Sequence, residues 1–444
     1  MTATGLLEPF TPLSEALPRL EAAVSPVTGI VTGCVTSTHL PDESSLSTCA
    51  CELASSRRTL GTDSVTFGSG AHPDARRARA AAIGEALERY SGAYLPVDRL
   101  QRATATQLGE GAVDPSRFAL FHSSQYGTPG FPFVPFTAGT PTTFVEGTAL
   151  ADGSPAFLPA ELVYLSRPDL RAAPIGYATS SGLACGPSFA EATLGALFEL
   201  IERDAVMLAW KCRLTLPLLD WSGDNTLATI DRTYFAATGG RFSVIDASRF
   251  LEIPVAISVL RGHPGSGASL AVGAAAAAHV GDAWLKAVSE SFGVYRWLRH
   301  QARTGAGAPD DPNNVESFDD HMLFYASPER AAAATFFDGS ADRRPTREIG
   351  PVEGSAPRTQ IDSLVSKLAR LDIAAYVVDV TSPDVRELGL TVTRVIAPEL
   401  CALDVSHRAR FLGGERLTTA AYELGLRATP LELVDVNPLP HPFP

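Results

Sequence analysis

Two stretches of this chain, AAIGEALERYSGAYL and EATLGALFELIERDAVMLAW, carry the same short word, Glu-x-x-Glu-Arg, on segments that are otherwise almost wholly apolar. The residues are Glu85, Glu88 and Arg89 in the first and Glu199, Glu202 and Arg203 in the second. At about 100° per residue, the i, i+3, i+4 spacing sets each trio on one stripe of a helix. Helices with so little polar surface are buried, and an isolated buried carboxylate costs several kcal/mol or neutralises itself. Four glutamates and two arginines on such helices therefore call for a polyvalent partner, and magnesium with nucleotide phosphates fits. The alternative is a pair of helix-surface ion clusters worth only tenths of a kcal/mol each. A single occurrence would favour that alternative; the repetition on apolar helices disfavours it.

The nucleotide site is not a common one. No G-x-x-x-x-G-K-[ST] occurs, and GSGAH (68–72) and GHPGSG (262–267) lack the lysine or the order of a P-loop. Magnesium generally takes one or two carboxylates from protein, so four suggest two or more ions bridging a triphosphate. Arg89 and Arg203 would contact phosphate oxygens, and Glu191, two turns before Glu199, could complete the cradle.

Charge and targeting signals narrow the partners. A net charge of −13 argues against a nucleic-acid or anionic-membrane surface, since either needs a basic footprint. Lys211, Lys286 and Lys367 are the only lysines, a skew explained by genomic composition or, more sharply, by arginine-rich phosphate recognition. The amino terminus lacks a basic stretch followed by an apolar core, and no apolar run reaches ~18 residues, so a cytoplasmic protein is expected. Six cysteines in 444 residues make no disulfide framework. Cys49 and Cys51 are the only close pair, weak for zinc, and the cysteines are read as reduced structural thiols.

Along the chain, GIVTGCVTS (29–37) alternates as a strand, and a strand followed by a Gly-rich turn leads into the first glutamate helix. Residues 100–187, rich in Pro, Gly, Thr and aromatics, are expected to hold short strands and no long helix. TSSGLACGPSFAEA opens the second glutamate helix, about 188–210, with the same local grammar as the first at an offset of 114 residues, which suggests an internal pseudo-repeat. Strands are expected at RFSVIDAS, IPVAISVLRG and SLAVGAAAAA. A third helix over 281–303 carries Lys286 and Glu290 at i, i+4, a spacing that as easily makes a surface pair. Residues 336–358 are expected to form a mobile loop, followed by alternating helix and strand. The chain ends VNPLPHPFP, a stiff polyproline-like rod that loses little entropy on docking and is expected to have a defined seat.

At these residues the chain resembles the YcaO family, specifically its azoline-forming cyclodehydratases of ribosomal peptide natural-product pathways. The matching pieces are ARAAAIGEALERYSGAYL, TSSGLACGPSFAEATLGALFELIERDAV, SFDDHMLFYASPE, VVDVTSPDVRELGLTVTRVIAPELCALD and PLPHPFP, spanning about 65–444. The resemblance implies an α+β fold, with mixed sheets and helices around a central ATP cleft. It implies an N-terminal segment (1–64) packed on the core, a catalytic domain (65–426) and a Pro-rich tail (427–444) reaching the active site. It implies Mg2+ held by Glu85, Glu88, Glu199 and Glu202, and ATP contacts from Arg89, Glu191, Arg203 and, as a guess, Glu290. Ala81 stands where many members have Ser, and Pro187 where many have Asn; each loss removes one hydrogen bond to nucleotide or metal.

In the family's reaction a Cys, Ser or Thr side chain of a precursor peptide attacks the preceding backbone carbonyl. The resulting oxyanion is phosphorylated by ATP, and loss of phosphate leaves a thiazoline or oxazoline. The Pro444 carboxylate is the candidate base, with His441 as second candidate and packing beside the prolines as its plainer role; His407 is read as structural. The chain has no spare ~250–300 residues for a leader-binding domain. A separate ubiquitin-activating-enzyme-like partner is therefore expected, and a flavin-dependent azoline dehydrogenase and a homodimer are further implied partners. The alternatives are thioamide or amidine formation, or a silent peptide-binding scaffold.

Overall fold

A computed structural model describes residues 9–37, 39, 43–61, 67–169, 172–238, 240–263 and 265–444. The chain folds as two units. One comprises the residues up to Ser37, Ser47–Leu200 and Glu353–Leu400; the other comprises Ile201–Val352, Cys401–Pro444 and the short stretch ending at Leu46.

In the first unit, β1 (Val31–Ser37), β2 (Ser47–Leu53) and β3 (Phe67–His72) form an antiparallel sheet in that order. The first long helix, Ala75–Ala93, follows directly, its N-terminus capped by the Asp74 carboxylate, which accepts the Arg76 amide at 2.8 Å. The glycines expected to form a turn lie inside β3. A Cβ on Gly68 would meet Ala82 O at 2.3 Å and one on Gly70 would meet Ala78 O at 2.2 Å, so strand and helix backbones approach as only glycine allows.

A second sheet of this unit runs β4 (Leu100–Ala103), β5 (Thr142–Ala149), β13 (Tyr376–Asp379), β14 (Thr391–Ile396), β7 (Leu183–Gly186), with β6 (Pro155–Pro159) on β5. Between residues 100 and 187 the described helices are single turns, as expected.

In the second unit the sheet order is β11 (Leu270–Ala276), β10 (Val255–Arg261), β9 (Arg241–Asp246), β8 (Leu218–Asp220), β12 (Arg343–Pro345). The third long helix, Val280–Thr304, follows β11 and ends at Gly305 in the left-handed region. A Cβ on Gly273 would meet Ala287 O at 2.5 Å. The antiparallel β9–β10–β11 followed by a helix thus repeats β1–β2–β3 and the first helix, so the internal repetition extends to the third helix.

The second long helix, Phe189–Lys211, matches its expected limits closely. Ala205 to Trp210 are all buried, the pattern of a helix enclosed on every side.

Two expectations are corrected. Residues 336–358 are not a free loop: β12 pairs in parallel with β8 at the sheet edge, where Pro345 is tolerated, and Arg344 bonds Asp246 at 2.7 Å. Cys34 and Cys51 are not separate thiols either. The antiparallel register places them opposite each other and they are joined as a disulfide, a pairing that 17 residues of sequence separation conceals.

Candidate active site

The acidic stripe of the first helix is built by β3. The Ser69 amide donates to Glu85 Oε2 at 2.5 Å and its hydroxyl to the same oxygen at 3.1 Å. The other Glu85 oxygen takes Arg89 at 2.7 Å, and Arg89 also donates to Phe67 O at 2.9 Å with its guanidinium 5.4 Å from the Phe67 ring. Arg89 is thereby fixed from two sides.

One turn on, Glu88 is crowded by protein while keeping part of its side chain open. Burial raises its pKa well above the usual carboxylate range, and the charges of Glu199 and Glu85 raise it further against Arg89 and Arg394. Glu199 accepts the Gly182 amide at 3.3 Å. Gly182 has φ +82°, and a Cβ there would strike Val395 O at 2.6 Å, so glycine is required where the chain turns to present that amide.

Arg394, in the middle of β14, was missed from the sequence. It is 5% exposed and donates to Thr179 O at 2.6 Å and Leu162 O at 2.9 Å. Burial pulls its pKa down to about 10, with Glu199 and Glu88 acting against that. Its signal was an arginine inside the apolar run TVTRVI, where a charge needs partners.

Glu191 sits in the first turn of the second helix. Its carboxylate accepts the Thr11 amide and hydroxyl, both at 2.8 Å, and the Ser188 hydroxyl at 2.8 Å. Ser188 in turn accepts the Glu191 amide at 3.2 Å, so the pair caps the helix. Glu85, Glu88, Arg89, Glu199 and Arg394 form one electrostatic group; Glu191 is held by Thr11 and Ser188.

In the second unit, Glu202 is 9% exposed and lies 3.4 Å from the Arg203 guanidinium. Arg203 donates to the Pro444 oxygen at 3.3 Å and stacks 4.5 Å from the Phe443 ring. The proline-rich tail has the defined seat expected of it. Trp210 Nε1 donates to Leu439 O at 3.2 Å, Tyr325 Oη to Pro440 O at 2.5 Å, and the Asn437 amide to Lys211 O at 2.9 Å. Phe443 is fully buried.

His441 is engaged at both ring nitrogens. Nε2 lies 2.8 Å from Asp404 O, and Nδ1 accepts the Phe443 amide at 3.3 Å. Burial, then His321 stacked at 3.8 Å, holds its pKa well below the usual value. Both nitrogens hold the tail in place, which leaves its ring no free position from which to act as a base. His407 is buried, its pKa lowered to about 4 by burial and then by Arg410, in keeping with a structural role.

Glu290, on the third helix, accepts the Ala274 amide at 2.7 Å. This places it in its own unit as Glu85 is placed in the other.

The donor set fits magnesium. Glu85, Glu88 and Glu199 offer hard oxygens, and a divalent cation offsets the burial and the like charges that disfavour the ionised form of Glu88. Flanking arginines suit phosphate oxygens.

Residues 67–401 match the model of the YcaO cyclodehydratases, an ATP- and Mg2+-binding family. This chain belongs to that family. Among solved structures, one similar to it is a heterocyclase in complex with substrate and cofactor: TM-score 0.81 at 24% identity, covering 98% of this chain and 59% of that one. The heterocyclase TruD gives 0.71 at 23%, over 98% and 55%. YcaO from Methanopyrus kandleri, bound with AMPPCP and Mg2+, gives 0.62 at 17%, over 90% and 94%. The chain thus spans little more than half the length of the two heterocyclases. No functionally curated protein matches it.

Proposed function

We propose that the chain is an ATP-dependent cyclodehydratase acting in the cytoplasm, converting Cys (or Ser/Thr) of a ribosomally made precursor peptide to thiazoline or oxazoline. The observation that carries this reading is the acidic cluster itself: Glu85 pinned by Ser69 and Arg89, Glu199 pinned by the Gly182 amide, and Glu88 held among protein atoms under the charges of both, an arrangement that asks for a divalent cation. In this reading Glu85, Glu88 and Glu199 hold Mg2+, and Glu202, one turn along the helix from Glu199, joins them. Arg89, Arg203, Glu191 and Glu290 serve the phosphate side.

ATP supplies the phosphoryl group that turns an amide oxygen, a poor leaving group, into phosphate, and Mg2+ offsets its charge. The arginines hold their guanidinium groups ready by backbone and ring contacts formed in advance, so little reorganisation is needed when charge develops. Arg203 orients Pro444, whose carboxylate is the proposed base for the nucleophile's proton.

The family resemblance supports a separate partner that holds the leader of the precursor. From the family resemblance come two further partners, a second copy of the chain and a flavin-dependent azoline dehydrogenase. The test is mass spectrometry of a candidate precursor incubated with this protein, ATP and the leader-binding partner. Loss of one water per ring, matched by one phosphate released, is expected. Exchange of oxygen for sulfur, or water loss without ATP, would overturn the reading.

A further inference from the structure

Three of the six cysteines converge in the first sheet. In the antiparallel register Cys34 stands opposite Cys51 and Thr36 opposite Cys49, and Cys49 and Cys51, two residues apart on β2, share a face. The sulfur atoms of Cys34, Cys49 and Cys51 all lie within 4.8 Å of one another. Around one cation at a metal–sulfur distance of about 2.3 Å, three thiolates stand about 3.8–4.0 Å apart, so the cluster is the right size with side-chain adjustments alone.

We propose that Cys34, Cys49 and Cys51 form a site for a thiophilic d10 cation, Zn2+ or Cu+, once the Cys34–Cys51 bond is reduced. Packing alone does not account for the arrangement. Cys212 and Cys401 are buried as single small apolar groups, whereas here two cysteines on β2 and a third on β1 share one face of the sheet, a face that valine or alanine would fill as well.

Burial raises the pKa of the Cys49 thiol, and the Arg79 guanidinium against it, itself paired with Glu21 at 2.7 Å between Nη2 and Oε2, works the other way, so the thiolate forms as the arriving cation displaces its proton. Cys49 and Cys51 are buried while Cys34 is half-buried, which gives a cation a way in from solvent. Soft sulfur selects Zn2+ and Cu+ over Mg2+, whereas the hard carboxylate oxygens of Glu85, Glu88 and Glu199 are the usual donors for Mg2+.

Opening the site takes two electrons and two protons from a dithiol reductant. The Cys34–Cys51 bond breaks, two thiols form, and the reductant closes its own disulfide. Such bonds are rare in a reducing cytoplasm. On binding, the cation displaces thiol protons to solvent. The site lies one strand from Ser69, since β2 places Ala50 opposite it.

The full chain, reduced and freed of metal under inert gas, is titrated without ATP in two arms, Zn2+ against a chromophoric chelator and Cu+ against bicinchoninate. Co2+ serves as the spectroscopic probe. One equivalent of Zn2+ or Cu+ per chain is expected, with a thiolate-to-cobalt charge-transfer band that Cys49→Ser loses and Cys401→Ser keeps. The oxidised wild-type protein takes up no cation in this comparison, a control that needs no variant to fold. Failure of both arms, uptake by the oxidised protein, or a band unchanged in folded Cys49→Ser would overturn the proposal.

Discussion

Glu290 accepts the backbone amide of Ala274 at 2.7 Å, 16 residues before it in the chain, and Glu85 stands in the same relation to Ser69. In both places a glycine-bearing strand lies against the helix that follows it, and the strand hands its amide to a glutamate of that helix. The amide donor fixes the carboxylate in place.

This relation separates structure from chemistry at Glu290. Glu290→Gln keeps an oxygen for the Ala274 amide, so the melting temperature should hold while ATP turnover falls by about 10²-fold, as for other lost electrostatic contacts. Glu290→Ala should in addition lose about 1–3 kcal/mol of stability, because the amide of the buried Ala274 is left without its acceptor. Phosphate release and thermal melts read the two effects. Normal turnover in Glu290→Gln would remove Glu290 from the site.

Glu88 gives the protein a pH signature. Burial first, then Glu199 and Glu85, raise its pKa, so ionising it costs more in the fold than in the unfolded chain. Without divalent cation, stability should therefore fall as pH rises from the unfolded value of about 4.3 through the raised folded value. Glu88→Gln should flatten that slope and melt higher than wild type at neutral pH in chelator. A divalent cation should bind more tightly as pH rises and release a proton, seen as a buffer-dependent binding enthalpy. Identical pH profiles for variant and wild type would contradict the assignment.

Arg394 tests the partner side of the same group. Arg394→Met should leave Glu88 and Glu199 less well compensated and two carbonyl oxygens, Leu162 O buried and Thr179 O half-buried, without their donor. A loss of about 3–5 kcal/mol is expected in the absence of Mg2+, as for other broken buried charge partners. Added Mg2+ should restore part of it, and a denaturant titration with and without Mg2+ measures both. Unchanged stability would show that the arginine is not coupled to the carboxylates.

The tail can be probed without disturbing its seat. Removing residues 440–444 strips out the fully buried Phe443 and should destabilise the second unit, so it cannot separate seating from chemistry. Appending two glycines after Pro444 leaves Phe443 and His441 seated but displaces the carboxylate. Ring formation should fall while ATP binding and melting temperature stay at wild-type values. An unchanged ring yield would rule out the carboxylate as base.

The long helices were legible because their charges stand out against apolar neighbours, as Glu199, Glu202 and Arg203 do between Phe198 and Ala205. What periodicity cannot carry is the register between distant segments. Ser69 was hidden in what looked like a glycine-rich turn, although those glycines serve close packing against Ala78 and Ala82. Arg394 lies about 200 residues from Glu199, and the pairing of β14 with β7 joins their neighbourhoods. The Cys34–Cys51 pair likewise follows from a strand register that no residue spacing declares.

The most direct test is calorimetric titration of ATP with Mg2+ into the wild-type chain and into Glu88→Gln and Glu199→Gln. Mg2+-dependent binding that both substitutions abolish, in variants that melt cooperatively, is the predicted result. Equal affinity in all three proteins, or binding indifferent to Mg2+, would contradict the claim that these carboxylates hold the metal.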